Sequence, residues 1–208
     1  LKGAVGGIEA ILHIPQTEPL KKPVRAVVIC CHPHPQFGGT MTNKVVHTLA
    51  KTFSNLGVPA LRFNFRGIGQ SAGNYDDGRG ERDDLLILCE LMLNSWPGCQ
   101  LWLAGFSFGS WISAGCAEAS GAQQLLSIAP PVSYFDFEDF QSPTCPWLVV
   151  MGEQDDVVDP KAVFDWVDTQ NNNVQLIKFP ETGHFFHGQI VKLSNVIRQY
   201  YQPLINEL

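Results

Sequence analysis

Apolar residues along the chain fall into two alternating kinds of segment. Short runs dense in Val, Ile, Leu and Phe alternate with stretches in which apolar positions recur every three or four residues. Residues 7–14 read as an opening strand, stopped by Pro15 and a polar Gln16-Thr17-Glu18 turn. Residues 24–31 are so rich in Val and Ile that they predict a buried central strand. Val45, Val46, Leu49, Phe53 and Leu56 lie at helical spacing, and Gly57 supplies the stop. Residues 61–65 form the next predicted strand. Residues 66–82 hold five glycines and few apolar side chains, which predicts a surface stretch beside something functional.

Beyond it, Asp83 or Asp84 caps a predicted helix over 85–94. Strands follow at 100–106, 125–129, 147–151 and 174–179, with a helix over 108–119. Asp159-Pro160 marks a helix start, Asp as the cap and Pro at the first helical position. The final helix places Ile190, Leu193, Ile197 and Tyr200 on one face. Strand and helix in alternation predict a mostly parallel sheet, doubly wound by helices on both faces. No repeat or low-complexity tract breaks the pattern, so residues 1–208 read as one domain.

Composition narrows the function classes. The 208 residues include 45% apolar side chains, enough to bury a sizeable core. A net charge of −6 and the lack of a basic patch argue against nucleic acid or an anionic membrane as partner. Apolar runs such as Val27-Val28-Ile29-Cys30-Cys31 fall far short of the roughly 20 residues that span a bilayer. The first residues carry no basic stretch leading into an apolar core, so no signal peptide is expected, although the sequence does not begin with Met. The six cysteines form no C-x-x-C pair and sit mostly in apolar runs. They read as reduced, buried thiols of a cytoplasmic protein.

Candidate chemistry concentrates in Gly105-Phe106-Ser107-Phe108-Gly109, a G-x-S-x-G pattern between a predicted strand and a predicted helix. A serine on a tight strand-to-helix turn needs small neighbours, and its turn aims helix N-terminal N–H groups at the reacting atom. Such a serine needs a base. His184, in Glu181-Thr182-Gly183-His184-Phe185-Phe186 after the last strand, fits that role, whereas His187 reads as structural. The base in turn needs a carboxylate. The segment Met151 to Pro160 offers three aspartates and a glutamate. Asp159 is taken by the helix cap, Asp155 is the first choice, and Asp156 is the alternative. For a developing oxyanion, the donors expected are the backbone N–H of Phe108 and that of His34, with Gln36 as the alternative to His34.

His32 and His34 share an H-x-H spacing that could hold zinc, but no third ligand stands nearby in the sequence, and no metal is expected. Gly67-Ile68-Gly69 lacks the third glycine of a dinucleotide loop. Arg66 reads as a loop anchor paired with a carboxylate. Between Ala129 and Trp147 only seventeen residues intervene, too few for a helical lid. Tyr134, Phe135, Phe137 and Phe140 in that stretch, with Phe37, Phe185 and Trp111, could wall an acyl pocket; Phe37, Tyr134 and Phe135 are the leading candidates.

The segments HPHPQFGGTMTNKVV, LRFNFRGIGQSAG, GFSFGS, GEQDDVVDP and TGHFFHG together resemble the small, lidless bacterial α/β-hydrolases related to dienelactone hydrolase. The resemblance runs over nearly the whole chain. It implies the α/β-hydrolase fold, a triad of Ser107, Asp155 and His184, no metal or organic cofactor, and hydrolysis of carboxylic esters. Dienelactone hydrolase uses a cysteine nucleophile where this chain has Ser107, so cleavage of an ordinary small ester or thioester is expected. Two other readings stand beside it. One is a non-catalytic module of the same fold that binds a ligand or protein; the other is a peptidase or acyltransferase with the same triad. Oligomeric state is not legible.

Overall fold

The computed structural model describes residues 1–16 and 24–208. Along the chain the elements are β1 (Ala10–His13), β2 (Ala26–Cys31), α1 (Lys44–Asn55), β3 (Ala60–Phe63), α2 (Arg79–Ser95), β4 (Gln100–Phe106) and α3 (Phe108–Ser120). They continue with β5 (Gln124–Ile128), β6 (Trp147–Gly152), α4 (Pro160–Thr169), β7 (Val174–Phe179) and α5 (Ile190–Glu207). The seven strands make one sheet in the order β1-β3-β2-β4-β5-β6-β7. Only β1 is antiparallel, pairing with β3 at the edge.

The strand sequences follow from their places. Every residue of β2 is buried, because helices cover both faces, and its run Ala-Val-Val-Ile-Cys-Cys is accordingly continuous rather than alternating. The edge strand β1 leaves Ile11 and Leu12 exposed. Helices α1 and α5 pack together on one face, joined by a Thr52–Ser194 hydroxyl hydrogen bond of 2.7 Å. Phe53, Trp102 and Tyr201 meet edge-on and tilted beneath them. Helices α2 and α3 pack together on the opposite face. The connection from β5 to β6 contains no helix; instead Phe137 fills that part of the face, packed between Trp147 and Trp166. Burying a side chain of that size stabilises the fold by roughly 1.5–3 kcal/mol. This is the single-domain α/β-hydrolase fold without a lid. Among the described residues, no helix is long and apolar enough to cross a membrane.

Several boundaries differ from the sequence reading. Helix α2 begins at Arg79, not after a cap at Asp83 or Asp84. Its first turn is closed from within the helix: the buried Glu81 carboxylate accepts from the N–H groups of Gly78 (2.9 Å) and Asp76 (3.0 Å). Asp84 is buried and paired with Arg66 at 2.9 Å, so Arg66 anchors the loop after β3 to α2. In α5 the buried residues are Leu193, Ile197 and Tyr201; an i, i+4 step places Tyr201 inward where Tyr200 was expected. The opening strand shortens to β1. The turn expected at Gln16-Thr17-Glu18 runs into residues 17–23, outside the described part of the chain. Asp159 caps α4 by accepting from the Lys161 N–H at 3.0 Å.

The carboxyl ends of the parallel strands share one edge of the sheet. Between β2 and β4 the chain's direction of winding reverses, and the carboxyl ends of strands at such a reversal are the usual ligand position in an open α/β sheet.

Candidate active site

Ser107 stands between the end of β4 and the start of α3, with φ 53° and ψ −124°. That conformation costs a non-glycine residue about 1–3 kcal/mol and persists only where its surroundings enforce it. Here they do. The Ser107 N–H donates to the Ile128 carbonyl (2.8 Å), and its own carbonyl accepts from the Ser110 N–H (2.8 Å) and hydroxyl (2.6 Å). The flanking glycines are required by contact. A Cβ at Gly105 would lie 2.2 Å from the Gly109 oxygen, and one at Gly109 would lie 2.4 Å from that of Cys31. The turn is thus pressed against the end of β2.

The structure brings the three expected residues together from three loops. The Ser107 hydroxyl lies 3.2 Å from His184 Nε2, and His184 Nδ1 lies 2.7 Å from Asp155 Oδ2. The other Asp155 oxygen, Oδ1, accepts from the N–H groups of Val157 and Val158, both at 2.8 Å. With both its oxygens engaged, the carboxylate is fixed in place and holds the proton on Nδ1, leaving Nε2 as an acceptor toward Ser107. The ring of His184 is held between Phe106 and Phe185. The side chains of His184 and Asp155 are 3% and 0% exposed, so their interaction is shielded from water. Asp156, the alternative acid, is exposed, and so is His187. Gly152 lets the acid loop and the base loop close on each other, since a Cβ there would lie 2.2 Å from the Thr182 oxygen.

The Phe108 and His34 N–H groups have no acceptor among the described residues, as oxyanion donors require. Phe108 opens α3, where the helix dipole favours negative charge. The Gln36 N–H, by contrast, donates to His34 Nδ1 at 3.2 Å and is occupied.

His32 is fully buried. Its Nδ1 meets the Pro33 carbonyl at 2.6 Å, and its Nε2 accepts from the Phe65 N–H at 3.0 Å. The ring therefore carries its proton on Nδ1 and has no lone pair left for a metal. Burial lowers its pKa to about 4 and keeps it neutral. Among the described residues no group of three His, Cys, Asp or Glu is placed to hold a metal ion.

The aromatic residues expected around a pocket divide. Phe135 is half-buried and stacks on Trp111, 4.6 Å between centroids, beside Phe108 and His34. Tyr134 is exposed and donates to the Val157 carbonyl at 3.1 Å. Phe37 is 85% exposed, resting on the His34 ring at the rim. Phe137 belongs to the core. Residues 132–138 with Trp166 line a cavity of about 360 Å³, to which neither Ser107 nor His184 contributes. Tyr75 and Asp77 drew no notice in the sequence, yet the Tyr75 hydroxyl reaches His34 Nε2 at 3.3 Å. Their only sequence signal is position, inside the glycine-rich stretch.

All six cysteines are unpaired and buried. Burial raises every one of their pKa values, those of Cys30 and Cys116 to about 12, so none supplies a ready thiolate.

A lidless α/β-hydrolase sheet with a serine on its strand-to-helix turn describes a class, and comparison with known proteins narrows it. The chain is 40% identical to an α/β serine hydrolase without a lid from Xanthomonas campestris, whose structure superposes with a TM-score of 0.92 over 98% of this chain and 92% of that one. An α/β serine hydrolase homologue from Coxiella burnetii is 42% identical, with a TM-score of 0.88 and coverage of 96% and 94%. An uncharacterized protein of Rickettsia prowazekii (strain Madrid E) is 32% identical over 188 residues, 86% of this chain and 79% of its own length. No family model matches. The chain belongs to the α/β-hydrolase family, among the lidless serine hydrolases.

Proposed function

We propose that this hydrolase cleaves the carboxylic ester or thioester of a small substrate through an acyl-enzyme on Ser107. The observation that carries the reading is the unbroken hydrogen-bonded line from Asp155 through His184 to Ser107. In the first step His184 Nε2 takes the hydroxyl proton as Ser107 Oγ attacks the carbonyl carbon. Asp155 stabilises the imidazolium that results. The N–H groups of Phe108 and His34 receive the oxyanion of the tetrahedral intermediate. His184 then protonates the leaving alcohol or thiol, the carbon–heteroatom bond breaks, and the acyl group stays on Ser107. Water, deprotonated by the same imidazole, attacks the acyl carbon, and His184 returns the proton to Ser107 Oγ as the acyl–oxygen bond breaks and the acid leaves.

The aromatic surroundings of Ser107 favour a short or aromatic, uncharged acyl group, with Phe135 beside it and Phe37 and Tyr134 at the mouth. The serine in place of cysteine separates this chain from dienelactone hydrolase itself, although the segments around the site resemble that enzyme's relatives. Buried, unpaired thiols fit a reducing compartment, and we place the protein in the cytoplasm.

The test is hydrolysis of p-nitrophenyl acetate, butyrate and octanoate by the wild type and by Ser107→Ala, with a chelator present. The expected result is turnover by the wild type that falls with chain length and is abolished in the variant. A folded wild type that leaves all three esters intact would turn the reading toward a binding module of the same fold.

A further inference from the structure

Residues 66–78 form the long glycine-rich passage between β3 and α2, and no step above uses them. At its far end the chain makes a tight turn that crosses to the loop after β2. Buried Glu81 holds that turn by accepting from the Asp76 and Gly78 N–H groups. Between them Asp77 takes φ 50°, in the left-handed region that an aspartate tolerates but does not prefer. Gly78 sits hard against Trp111; a Cβ there would lie 2.2 Å from the indole ring. The turn is therefore fixed from both sides, and it delivers Tyr75 to His34.

The protons on that contact can be assigned. His34 Nδ1 accepts from the Gln36 N–H, so the neutral ring carries its proton on Nε2. That proton points to the Tyr75 oxygen, 3.3 Å away. The Tyr75 hydroxyl keeps its own proton. Burial, then the charges of Asp77 and Glu81, push its pKa up to about 12. The His34 ring is further packed on Phe108, Phe37 and Tyr75, with centroids 4.7, 4.7 and 5.1 Å away. Its side chain is thus tied to the residue that supplies one oxyanion donor, while its own main chain supplies the other.

We propose that Tyr75 is a positioning residue for the oxyanion hole: its hydroxyl, set by the Glu81-held turn, fixes the His34 side chain and so aims the His34 N–H at the developing oxyanion. The proposal rests on the reading of Ser107 as nucleophile and of the His34 N–H as a donor. The hydroxyl touches no reacting atom. It acts through His34, which explains why a surface passage ends in a buried carboxylate and a strained aspartate rather than a simple turn.

The experiment compares the wild type, Tyr75→Phe, Asp77→Gly and Ser107→Ala on p-nitrophenyl acetate, with phenylboronic acid as a tetrahedral mimic. Complete removal of an oxyanion donor costs about 10²–10³ in kcat, so a misdirected one in Tyr75→Phe should cost about tenfold with KM unchanged. Boronate affinity should fall by the same factor as kcat/KM. Asp77→Gly keeps the left-handed turn, and it should lower kcat less while leaving the thermal midpoint equal or higher. A purely structural role predicts the opposite pattern: a lower midpoint with unchanged boronate affinity of the folded protein, and that result overturns the proposal. An unimpaired Tyr75→Phe beside an inactive Ser107→Ala sinks this inference alone. An active Ser107→Ala sinks both it and the reading beneath it.

Discussion

Two of the six histidines are almost wholly withdrawn from water, and both have each ring nitrogen engaged. His32, after β2, sits between two backbone groups, the Pro33 carbonyl and the Phe65 N–H. His184, after β7, sits between two side chains, a carboxylate and a hydroxyl. The difference decides what each ring can do. Protonating His32 would turn its Nε2 into a donor facing an N–H, which nothing relieves, so the ring is held neutral as a strut between two loops. Protonating His184 leaves Nδ1 donating to an anion and turns Nε2 into a donor toward the group that has just lost its proton. Equal burial therefore gives a rigid spacer in one place and a ring placed to pass a proton in the proposed reaction in the other, and the partners alone make the distinction.

The largest expected effect lies on the His184 side. Ser107→Ala and His184→Ala should each reduce kcat by about 10⁴–10⁶, and the double variant should lose little more, because the two act as one unit. Steady-state kinetics on an activated ester reads this directly, and additive losses would break the idea of a shared proton path. Next comes the carboxylate. Asp155→Asn removes the charge and disturbs the tautomer of His184, for a loss of about 10⁴ in kcat. Asp156→Asn, on an exposed neighbour, should stay within about twofold of wild type. A reversal of these two results would hand the acid role to Asp156.

On the His32 side the effect is on stability and its pH dependence. The ring's pKa falls from 6.5 to about 4 on folding. Between those values the unfolded chain binds the extra proton, so stability is full above pH 6.5 and is lost as pH drops toward 4. A shift of this size corresponds to about 3 kcal/mol. Urea unfolding of the wild type and His32→Gln at several pH values tests it: the variant should be less stable at pH 7 and should lose much of the slope between pH 6.5 and 4. A slope unchanged by the substitution would show that the ring is not held neutral.

How far these features were legible follows the range of the interactions that create them. The central strands were readable because burial on both faces demands continuous apolar runs, as in β2 and β4. Ser107 was readable because its turn imposes small residues at 105 and 109, a local constraint. Asp155 and His184 were legible from their places in loops after strands; Asp155 was the first choice with Asp156 as the alternative, and only the folded geometry, which buries Asp155 and leaves Asp156 exposed, separates the two. The start of α2 was misplaced because its turn is closed by Glu81 from inside the helix, where an aspartate cap was expected ahead of it. Tyr200 was expected on the inner face and Tyr201 is buried there instead, because helical periodicity admits both i+3 and i+4 steps. The contact between Tyr75 and His34 had no local trace at all, since it joins residues 41 positions apart through a glycine-rich passage.

The smallest expected effect completes the comparison. His187 lies three residues beyond His184 in the same loop, but it is exposed, stacks on Phe185 at 5.8 Å, and makes no hydrogen bond among the described residues. The ring is thus neither set between two backbone groups as His32 is nor aligned with a carboxylate and a hydroxyl as His184 is. Exposed, stacked on Phe185 and without a hydrogen-bond partner among the described residues, it predicts that His187→Ala changes stability by no more than about 0.5 kcal/mol and kcat/KM by less than about twofold. Thermal unfolding and ester kinetics on the single variant suffice to check it. A loss of several orders of magnitude in His187→Ala, with His184→Ala active, would exchange the two residues' roles and remove the contrast with His32. A modest rise in KM alone would instead place Phe185 and its stacking partner at the substrate's entrance, sharpening the picture of an aromatic mouth without touching the proton path.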